Sequence, residues 1–317
     1  MIIDNKFFPC IVRSQFKELG TDIDIQIVAG DEAQIVIANE DIQKIKKMYV
    51  DFTDIFSRFN PKSELSKLNK NLGTLQEASF HMREIVLQAL KYNKETRGFF
   101  DPRILDVLER VGYADDFERG IRQLAKRSSV DGKEFVLNRD LAEDLKLKND
   151  EVFFGARMDF SGIAKGYITD QIVKFLIEKK WQNFLIDSGG DIFMSGLDEE
   201  GEKWTVDVEG IDKNKLIFAL SNRAITTSGI GKRRWEIEGK RMHHIINPKN
   251  PEQFSFDLKS VSVIADSTTK ADVLAKTIFL MGKENGILYV REHELAVVML
   301  DSRGSAWISS KAKELLI

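Results

Sequence analysis

The chain has 317 residues, of which 43% are hydrophobic and 31% charged, and its formal net charge is −3. This length is sufficient to bury a sizeable core, and the near-neutral charge argues against a nucleic-acid-binding surface. The single cysteine, Cys10, excludes an internal disulfide and a cysteine-based zinc site. The four histidines form no HExxH pattern, which excludes that helical zinc site.

The sequence contains no run of about 18 apolar residues, so no membrane insertion is predicted. The first ten residues, MIIDNKFFPC, carry charges where a secretory signal would place its apolar core. We therefore expect a cytoplasmic protein.

The N-terminal third is predicted to contain one strand and two helices. Residues 23–28 alternate between apolar and polar side chains, which is typical of a half-buried strand. Apolar residues recur at helical spacing over 41–59, and Asn60-Pro61 ends that helix. A second helix is predicted over 82–96.

The segment 114–155 is rich in charged residues, and we expect a lobe boundary or a variable insertion there. Within it, the patterns predict a helix near 117–126 and short strands near 134–137 and 152–154.

The stretch Met158–Asp191 combines a turn, a helix and a strand. Small residues at 161–166 form the turn, apolar residues from Ile168 to Leu176 recur at helical spacing, and 184–186 is a short apolar strand. A helix that begins at such a turn offers free N–H groups and a positive dipole end, which favour phosphate or carboxylate.

The C-terminal half is rich in strands. One helix is predicted there, over 268–281, with Ser267 as its N-cap. Because helices and strands do not alternate strictly, we expect an α+β fold with mixed or antiparallel sheets and flanking helices. The predicted strands are 203–209, 216–220, 235–238, 242–246, 260–265, 295–300 and 305–308.

Four short clusters carry residues suited to chemistry, whereas GxGxxG, a complete P-loop and GxSxG are absent. Asp272 is the most informative residue in them, because a carboxylate in a mostly apolar helix has to pair with a cation or metal, or lie exposed. The clusters are Gly98–Pro102, Ala224–Gly229, His243–Pro248 and Ala271–Ala275.

The order and spacing of these motifs resemble those of the ApbE family, the FAD:protein FMN transferases. The resemblance implies one catalytic domain over 16–308, in two entwined lobes with an FAD cleft between them, and a C-terminal tail over 309–317. The matching segments are Phe16–Thr21, Phe56–Asn69, Gly98–Pro102, Met158–Asp170, Asp187–Gly196, Ala224–Gly229, His244–Pro248 and Ser260–Gly282.

The resemblance implies an enzyme that cleaves FAD between its phosphates. It would release AMP and leave FMN joined by a phosphoester to a Ser or Thr of an acceptor flavoprotein. Magnesium is the implied cofactor, since a divalent ion that bridges a pyrophosphate neutralises charge and orients in-line attack.

The resemblance also assigns residues to roles. The metal would be held by the main-chain carbonyl of Ala164 and the carboxylate of Asp272. Catalysis would involve His244 as general acid or base, with Asp272 and Lys276. The residues implied to bind FAD are Leu19, Phe59, Phe99, Phe100, Asp101, Ser161, Lys165, Tyr167, Thr227 and Ile246.

Three positions depart from the family pattern. Lys276 stands where the family has a Thr four residues after Asp272, and Thr277 lies about 140° round the helix from Asp272, so it cannot take over. An ammonium at position 276 either repels magnesium or takes the place of magnesium. Asn247 replaces an Asp, and Arg103 replaces a Thr and adds a cation near the flavin pocket. Together these changes suggest a site that binds phosphate without a tightly held metal.

Three functions therefore stay open. We expect a transferase that acts with magnesium or with Lys276 in its stead. The alternatives are a protein of the same fold that only binds FAD, and an FAD pyrophosphatase that gives FMN and AMP. The sequence does not identify the acceptor, nor does it decide whether the chain forms a homodimer.

Overall fold

The structure is a computed structural model. It describes residues 9–113, 139–208, 216–231, 233–237 and 239–317, and the elements predicted near 117–126 and 134–137 lie outside these residues.

The first half of the described chain contains most of the helices. In chain order its elements are β1 (Cys10–Glu18), β2 (Thr21–Ala29), α1 (Glu32–Phe56), α2 (Glu64–Leu68), β3 (Leu75–Glu77), α3 (Phe80–Glu95), α4 (Leu105–Arg110), α5 (Leu141–Asp144), β4 (Leu145–Lys148), β5 (Glu151–Phe154) and α6 (Ala164–Glu178).

The second half is dominated by strands, as predicted. Its elements are β6 (Phe184–Ser188), β7 (Asp191–Ser195), β8 (Trp204–Asp207), β9 (Ile217–Leu220), β10 (Arg223–Gly229), β11 (Arg234–Ile237), β12 (Lys240–His243), β13 (Leu258–Ala265), α7 (Thr268–Glu292), β14 (Ala296–Asp301), β15 (Ala306–Ile308) and α8 (Ser310–Lys313).

In the part of the chain that the structure describes, eight strands form the central sheet, in the order β1-β2-β6-β7-β10-β13-β14-β15. Every neighbouring pair in it is antiparallel. The alternation predicted for 23–28 is confirmed, because Ile23, Ile25 and Ile27 are buried on one face of β2. The α+β class is also confirmed.

The two faces of the sheet are covered differently. Helices α1, α6 and α7 bury one face in the larger hydrophobic cluster, which α3 extends by packing against α1, β4 and β5. The β8–β9 hairpin and α8 cover the other face, where Trp204 and Phe218 pack against Met194 and Ile225. The predicted tail is tied to this layer, because the N–H of Ile317 donates to the carbonyl of Ile217 at 3.1 Å.

Helix boundaries differ from the predictions where exposed residues hide the periodicity. Helix α1 begins at Glu32, well before the predicted start at 41, and the side chain of Asp31 caps it by accepting from the N–H of Gln34. Its first turns expose Val36 and Ile37, so the buried stripe starts only at Ala38. Helix α7 bends at Gly282, where φ is 75°, and continues beyond the predicted end.

Among the described residues, no helix combines the length and the apolar character needed to cross a bilayer. The strand predicted over 242–246 is placed earlier, since β12 ends at His243 and His244 follows it.

Candidate active site

The site is built where α6 and α7 cross, and Gly166 permits that crossing. A Cβ on Gly166 would lie 2.7 Å from the Cα of Thr269 and 2.9 Å from the carbonyl oxygen of Thr268. The Asp170 carboxylate, one turn further along α6, accepts from the N–H groups of Thr268 and Thr269 at 2.8 and 2.9 Å. It therefore caps α7 from outside and fixes the start of one helix against the other.

This crossing brings Asp272 of α7 towards the turn before α6. Asp272 is buried, and its Oδ1 pairs with the ammonium of Lys276 one turn later. The same ammonium donates to the carbonyl oxygen of Gly162 at 3.2 Å. Lys276 therefore joins Asp272 to the turn just before Ala164, the other residue that the resemblance assigns to the metal.

A second ion pair stands beside the first. Lys165, in the first turn of α6, pairs with the buried carboxylate of Asp191 at the start of β7. Burial acts to lower the pKa of Lys165, but the carboxylates of Asp191 and Asp272 outweigh it and raise this pKa. The ammonium of Lys165 therefore stays charged at neutral pH.

His244 lies at the same place, just after β12. Its Nδ1 is 3.3 Å from the carbonyl oxygen of Arg233. Burial, and then the charges of Arg233 and Lys276, lower the pKa of His244 to about 3. The imidazole is therefore neutral at pH 7. With its Nδ1–H donated to Arg233, it keeps the lone pair on Nε2, where it can accept a hydrogen bond or a proton.

The buried surroundings that shift the pKa of His244 also shift that of Asp272. Burial raises the pKa of Asp272 to about 6, against the opposing charge of Lys276. Its second oxygen, Oδ2, is buried without a hydrogen-bond partner among the described residues, and so is the hydroxyl of Thr277. Thr277 therefore does not supply the hydroxyl that the family has beside Asp272. This agrees with its predicted position on the helix.

The donors at this place do not fit a divalent metal ion. Magnesium prefers oxygen ligands in an octahedral arrangement. Here the position four residues after Asp272 supplies an ammonium, which already occupies Oδ1 of that carboxylate. Across the described ranges, no group of three or more His, Cys, Asp or Glu side chains is placed to hold a metal.

Phe100, one of the residues that the resemblance implies to bind FAD, lies beside the turn before α6. A Cβ on Gly162 would lie 3.4 Å from Cε2 of Phe100 and 3.7 Å from Cδ of Lys276. Phe99 is half-buried, and the Lys249 ammonium lies 4.4 Å from the centre of its ring. The two neighbouring aromatic side chains therefore lie in different surroundings.

Arg103 is not a free cation at the flavin pocket, contrary to the expectation from its position. Its guanidinium is buried, donates from Nε and Nη2 to the two oxygens of Asp101 at 3.0 and 2.7 Å, and donates from Nη1 to Asp144 at 2.7 Å. The charge of Arg103 is neutralised within a buried network, which holds the Asp101 carboxylate in place.

Phe59, which the resemblance implies to bind FAD, packs in a group with Arg58 and Tyr113. The guanidinium of Arg58 lies 4.1 Å from the ring centre of Phe59 and 4.6 Å from that of Tyr113. Tyr113 in turn packs against Trp235 of β11, with ring centres 5.7 Å apart. Phe59 is 36% exposed, so a ligand can reach one side of this group.

The remaining residues implied to bind flavin are dispersed. Leu19 is in a two-residue turn between β1 and β2 with φ of 57°, and Ser161 is exposed in the turn before α6. Thr227 is exposed and bonded to Ser262, and Ile246 packs on Val107 and Leu108 of α4. These flavin contacts stay predictions.

Tyr167 lies in the core. It is 1% exposed, packs edge-on against Phe52 and Phe56, and its hydroxyl lies 2.8 Å from Nδ1 of His81. This packing does not support a contact between the Tyr167 side chain and a flavin.

Sequence reasoning missed three residues of the charged cluster. Asp191 closes the motif DSGGD, yet only the structure pairs it with Lys165. Arg233 lies just beyond the Ala224–Gly229 cluster, but its action on His244, through its charge and its carbonyl, depends on the fold. The Gly162 carbonyl is a main-chain group, so its role depends on the fold rather than on its side chain.

Solved structures share this architecture. The flavin transferase ApbE from Vibrio cholerae superposes with a TM-score of 0.78 at 23% identity, covering 97% of this chain and 100% of that one. The ApbE protein from Thermotoga maritima gives a TM-score of 0.82 at 22% identity, covering 96% and 99%. The fold is that of the ApbE flavin transferases.

Sequence relatives extend the comparison. The model of the ApbE family matches residues 19–299, so the chain belongs to the ApbE family. The FAD:protein FMN transferase of Haemophilus influenzae is 25% identical over 317 residues, 95% of this chain and 90% of that protein. The protein of the same name from Treponema pallidum is 34% identical over 151 residues, 44% of this chain and 41% of that protein.

Proposed function

We propose that this chain is an FAD:protein FMN transferase, which transfers FMN from FAD to a Ser or Thr hydroxyl of an acceptor flavoprotein and releases AMP. One observation carries the proposal. Asp272, Lys276, Lys165 and His244 form a single charged cluster at the turn before α6, with two ammonium groups beside a neutral imidazole. The names of the sequence relatives support the same activity.

The cluster suits a pyrophosphate substrate. The ammonium groups of Lys165 and Lys276 supply positive charge where two linked phosphates need it. The acceptor oxygen attacks the phosphorus of the FMN half, an O–P bond forms, and the bond from that phosphorus to the bridging oxygen breaks. The bridging oxygen leaves with AMP, and the hydroxyl proton goes to Nε2 of His244.

Magnesium belongs to the expectation from the resemblance, and a bound divalent ion would neutralise pyrophosphate charge. The side chains at Asp272 do not form a divalent-ion site, and the ammonium groups of Lys165 and Lys276 supply the positive charge instead.

The domain organisation follows the same proposal. Residues 16–308 form the catalytic unit, and FAD lies between the α6–α7 crossing and the segment that carries Phe99 and Phe100. The partner is a flavoprotein with an accessible Ser or Thr, and cytoplasmic placement would restrict it to acceptors in that compartment.

The test incubates the purified chain with FAD and a flavin-accepting protein from the same cell. In-gel flavin fluorescence and an FMN mass increment on the acceptor would support transfer. His244→Gln should abolish transfer, whereas His293→Gln is the matched control because His293 is exposed at the end of α7. AMP release without acceptor labelling would instead indicate a pyrophosphatase, and intact bound FAD would indicate a binding protein.

A further inference from the structure

The cation position beside Asp272 is filled by a side chain of the chain itself. The Lys276 ammonium bonds to Oδ1 of Asp272 and to the Gly162 carbonyl oxygen, and so joins α7 to the turn before α6. We propose that this ammonium is a built-in cation, which replaces a divalent metal ion and binds a pyrophosphate oxygen. The pyrophosphate rests on the proposed function, whereas the replacement of the metal does not.

The ammonium has the capacity for this role. A lysine ammonium has three hydrogens to donate, and Lys276 uses two of them within the described part of the chain. Its side chain is 21% exposed, so an anion can reach the third. The i,i+4 spacing on α7 holds the ammonium against Asp272 before any ligand arrives.

The surrounding charge disfavours a metal ion at the same place. A divalent ion on the remaining oxygen of Asp272 would stand close to the Lys276 ammonium in a buried setting, where charges are poorly screened. Lys165 adds a second positive charge, since it also acts electrostatically on Asp272. A metal site made only of oxygen ligands would have no positive charge beside it. Here two fixed ammonium groups already lie near Asp272.

The chain provides a matched control on the same helix. Lys270 of α7 also pairs with a carboxylate four residues away, that of Asp266, at 3.2 Å. Both of these side chains are exposed, at 44% and 66%, and among the described residues the Lys270 ammonium is held by Asp266 rather than by Asp272. Lys270→Thr therefore removes a lysine–aspartate pair of the same spacing without opening the position beside Asp272.

The test titrates Mn²⁺ into the flavin-free full chain and follows free Mn²⁺ by electron paramagnetic resonance. We expect no stoichiometric binding by the wild type or by Lys270→Thr. Lys276→Thr should bind one Mn²⁺ at least 10-fold more tightly, and adding Asp272→Asn should abolish that gain. A wild-type site that binds Mn²⁺ and loses it in Asp272→Asn would overturn the proposal, as would an unchanged titration for a folded Lys276→Thr.

FAD binding gives a second readout, measured by flavin fluorescence. Wild-type affinity should be the same in EDTA and in Mg²⁺, and Lys276→Gln, which keeps a polar end group but loses the charge, should bind at least 10-fold more weakly. A 10-fold loss of wild-type affinity in EDTA would contradict the built-in cation. A wild type that binds no FAD at all would defeat the proposed function, while the Mn²⁺ contrast would still decide the cation.

Discussion

Gly166 of α6 lies against the backbone of Thr269 in α7, so closely that a methyl group on Gly166 would be 2.7 Å from that Cα. Backbone atoms cannot move aside as the end of a flexible side chain can. This contact sets the distance between the two helices, and with it the distance between Asp272 and the Gly162 carbonyl that Lys276 bridges.

Gly166→Ala should therefore force the two helices apart. We expect the free energy of unfolding in urea to fall by about 1–3 kcal/mol, the usual result of overpacking, and FAD affinity to fall with it. Gly30→Ala is the control, because the nearest atom to its new methyl is Oε1 of Gln34 at 3.5 Å. Equal stability of the two variants would contradict the close-approach argument.

Asp170→Asn tests the cap that α6 supplies to α7. The carboxylate receives two backbone N–H groups and the Thr269 hydroxyl, and an amide can accept with only one of its two atoms. We expect a loss of about 1–2 kcal/mol, measured by urea unfolding.

The control for this cap is Asp31→Asn at the N-cap of α1, where Oδ1 alone accepts from the N–H of Gln34. Asn caps about as well as Asp, so the change there should stay within about 0.5 kcal/mol. A similar loss at both positions would show that Asp170 acts as an ordinary cap rather than as a clamp between helices.

Arg103→Thr restores the residue that the family pattern has, yet it should destabilise this chain. It would leave the buried Asp101 carboxylate without its bidentate partner and remove one of the partners of Asp144. We expect a loss of about 3–5 kcal/mol, by thermal or urea unfolding.

Arg13→Thr on β1 is the matched control, because Arg13 is 53% exposed in its pair with Asp24. Exposed pairs of this kind contribute up to about 1 kcal/mol. Should the two variants lose the same stability, the buried network around Arg103 would not have the structural role assigned to it.

His244 should make the fold sensitive to acid. Its folded-state pKa is about 3, below the ordinary value of 6.5, so between these values the unfolded state binds a proton that the folded state does not. The stabilising contribution is complete above pH 6.5 and is lost as the pH falls. Relative to His244→Gln, the wild type should lose up to about 1.4 kcal/mol per pH unit below 6.5.

Urea unfolding of both proteins between pH 4.5 and 7.5 measures this difference directly. Asp272 and the other carboxylates are present in both, so their own titration largely cancels. Parallel pH profiles would mean that the His244 ring is solvated in the folded protein.

The sequence was sufficient for elements whose burial follows one simple period. The strand over 23–28 and the helix over 82–96 were predicted because their buried residues repeat at intervals of two and of three to four. Strand β1 was missed, although Val12 and Phe16 also alternate with exposed polar residues, because Cys10 and Ile11 blur the pattern at its start. The start of α1 was missed because its apolar residues face solvent.

The candidate site was only partly predictable. The motifs named Asp272, Lys276 and His244, and the structure places the Lys276 ammonium close enough to act electrostatically on the other two. The role of Arg103 could not be derived, because Asp144 lies far away along the chain and only the fold makes them neighbours. From the sequence, Arg103 looks like a cation added near the ligand. In the structure its charge is neutralised by buried carboxylates.

The order of strands in the central sheet affects how the chain folds. Strands β2 and β6 are neighbours, yet β2 ends at Ala29 and β6 begins at Phe184. Loop closure over such a distance makes this pairing a slow, late event. Ribosomal synthesis delivers α7 later still, so a nascent chain has Phe59, Phe99 and Phe100 before it has the Asp272 carboxylate and the Lys276 ammonium of the charged cluster.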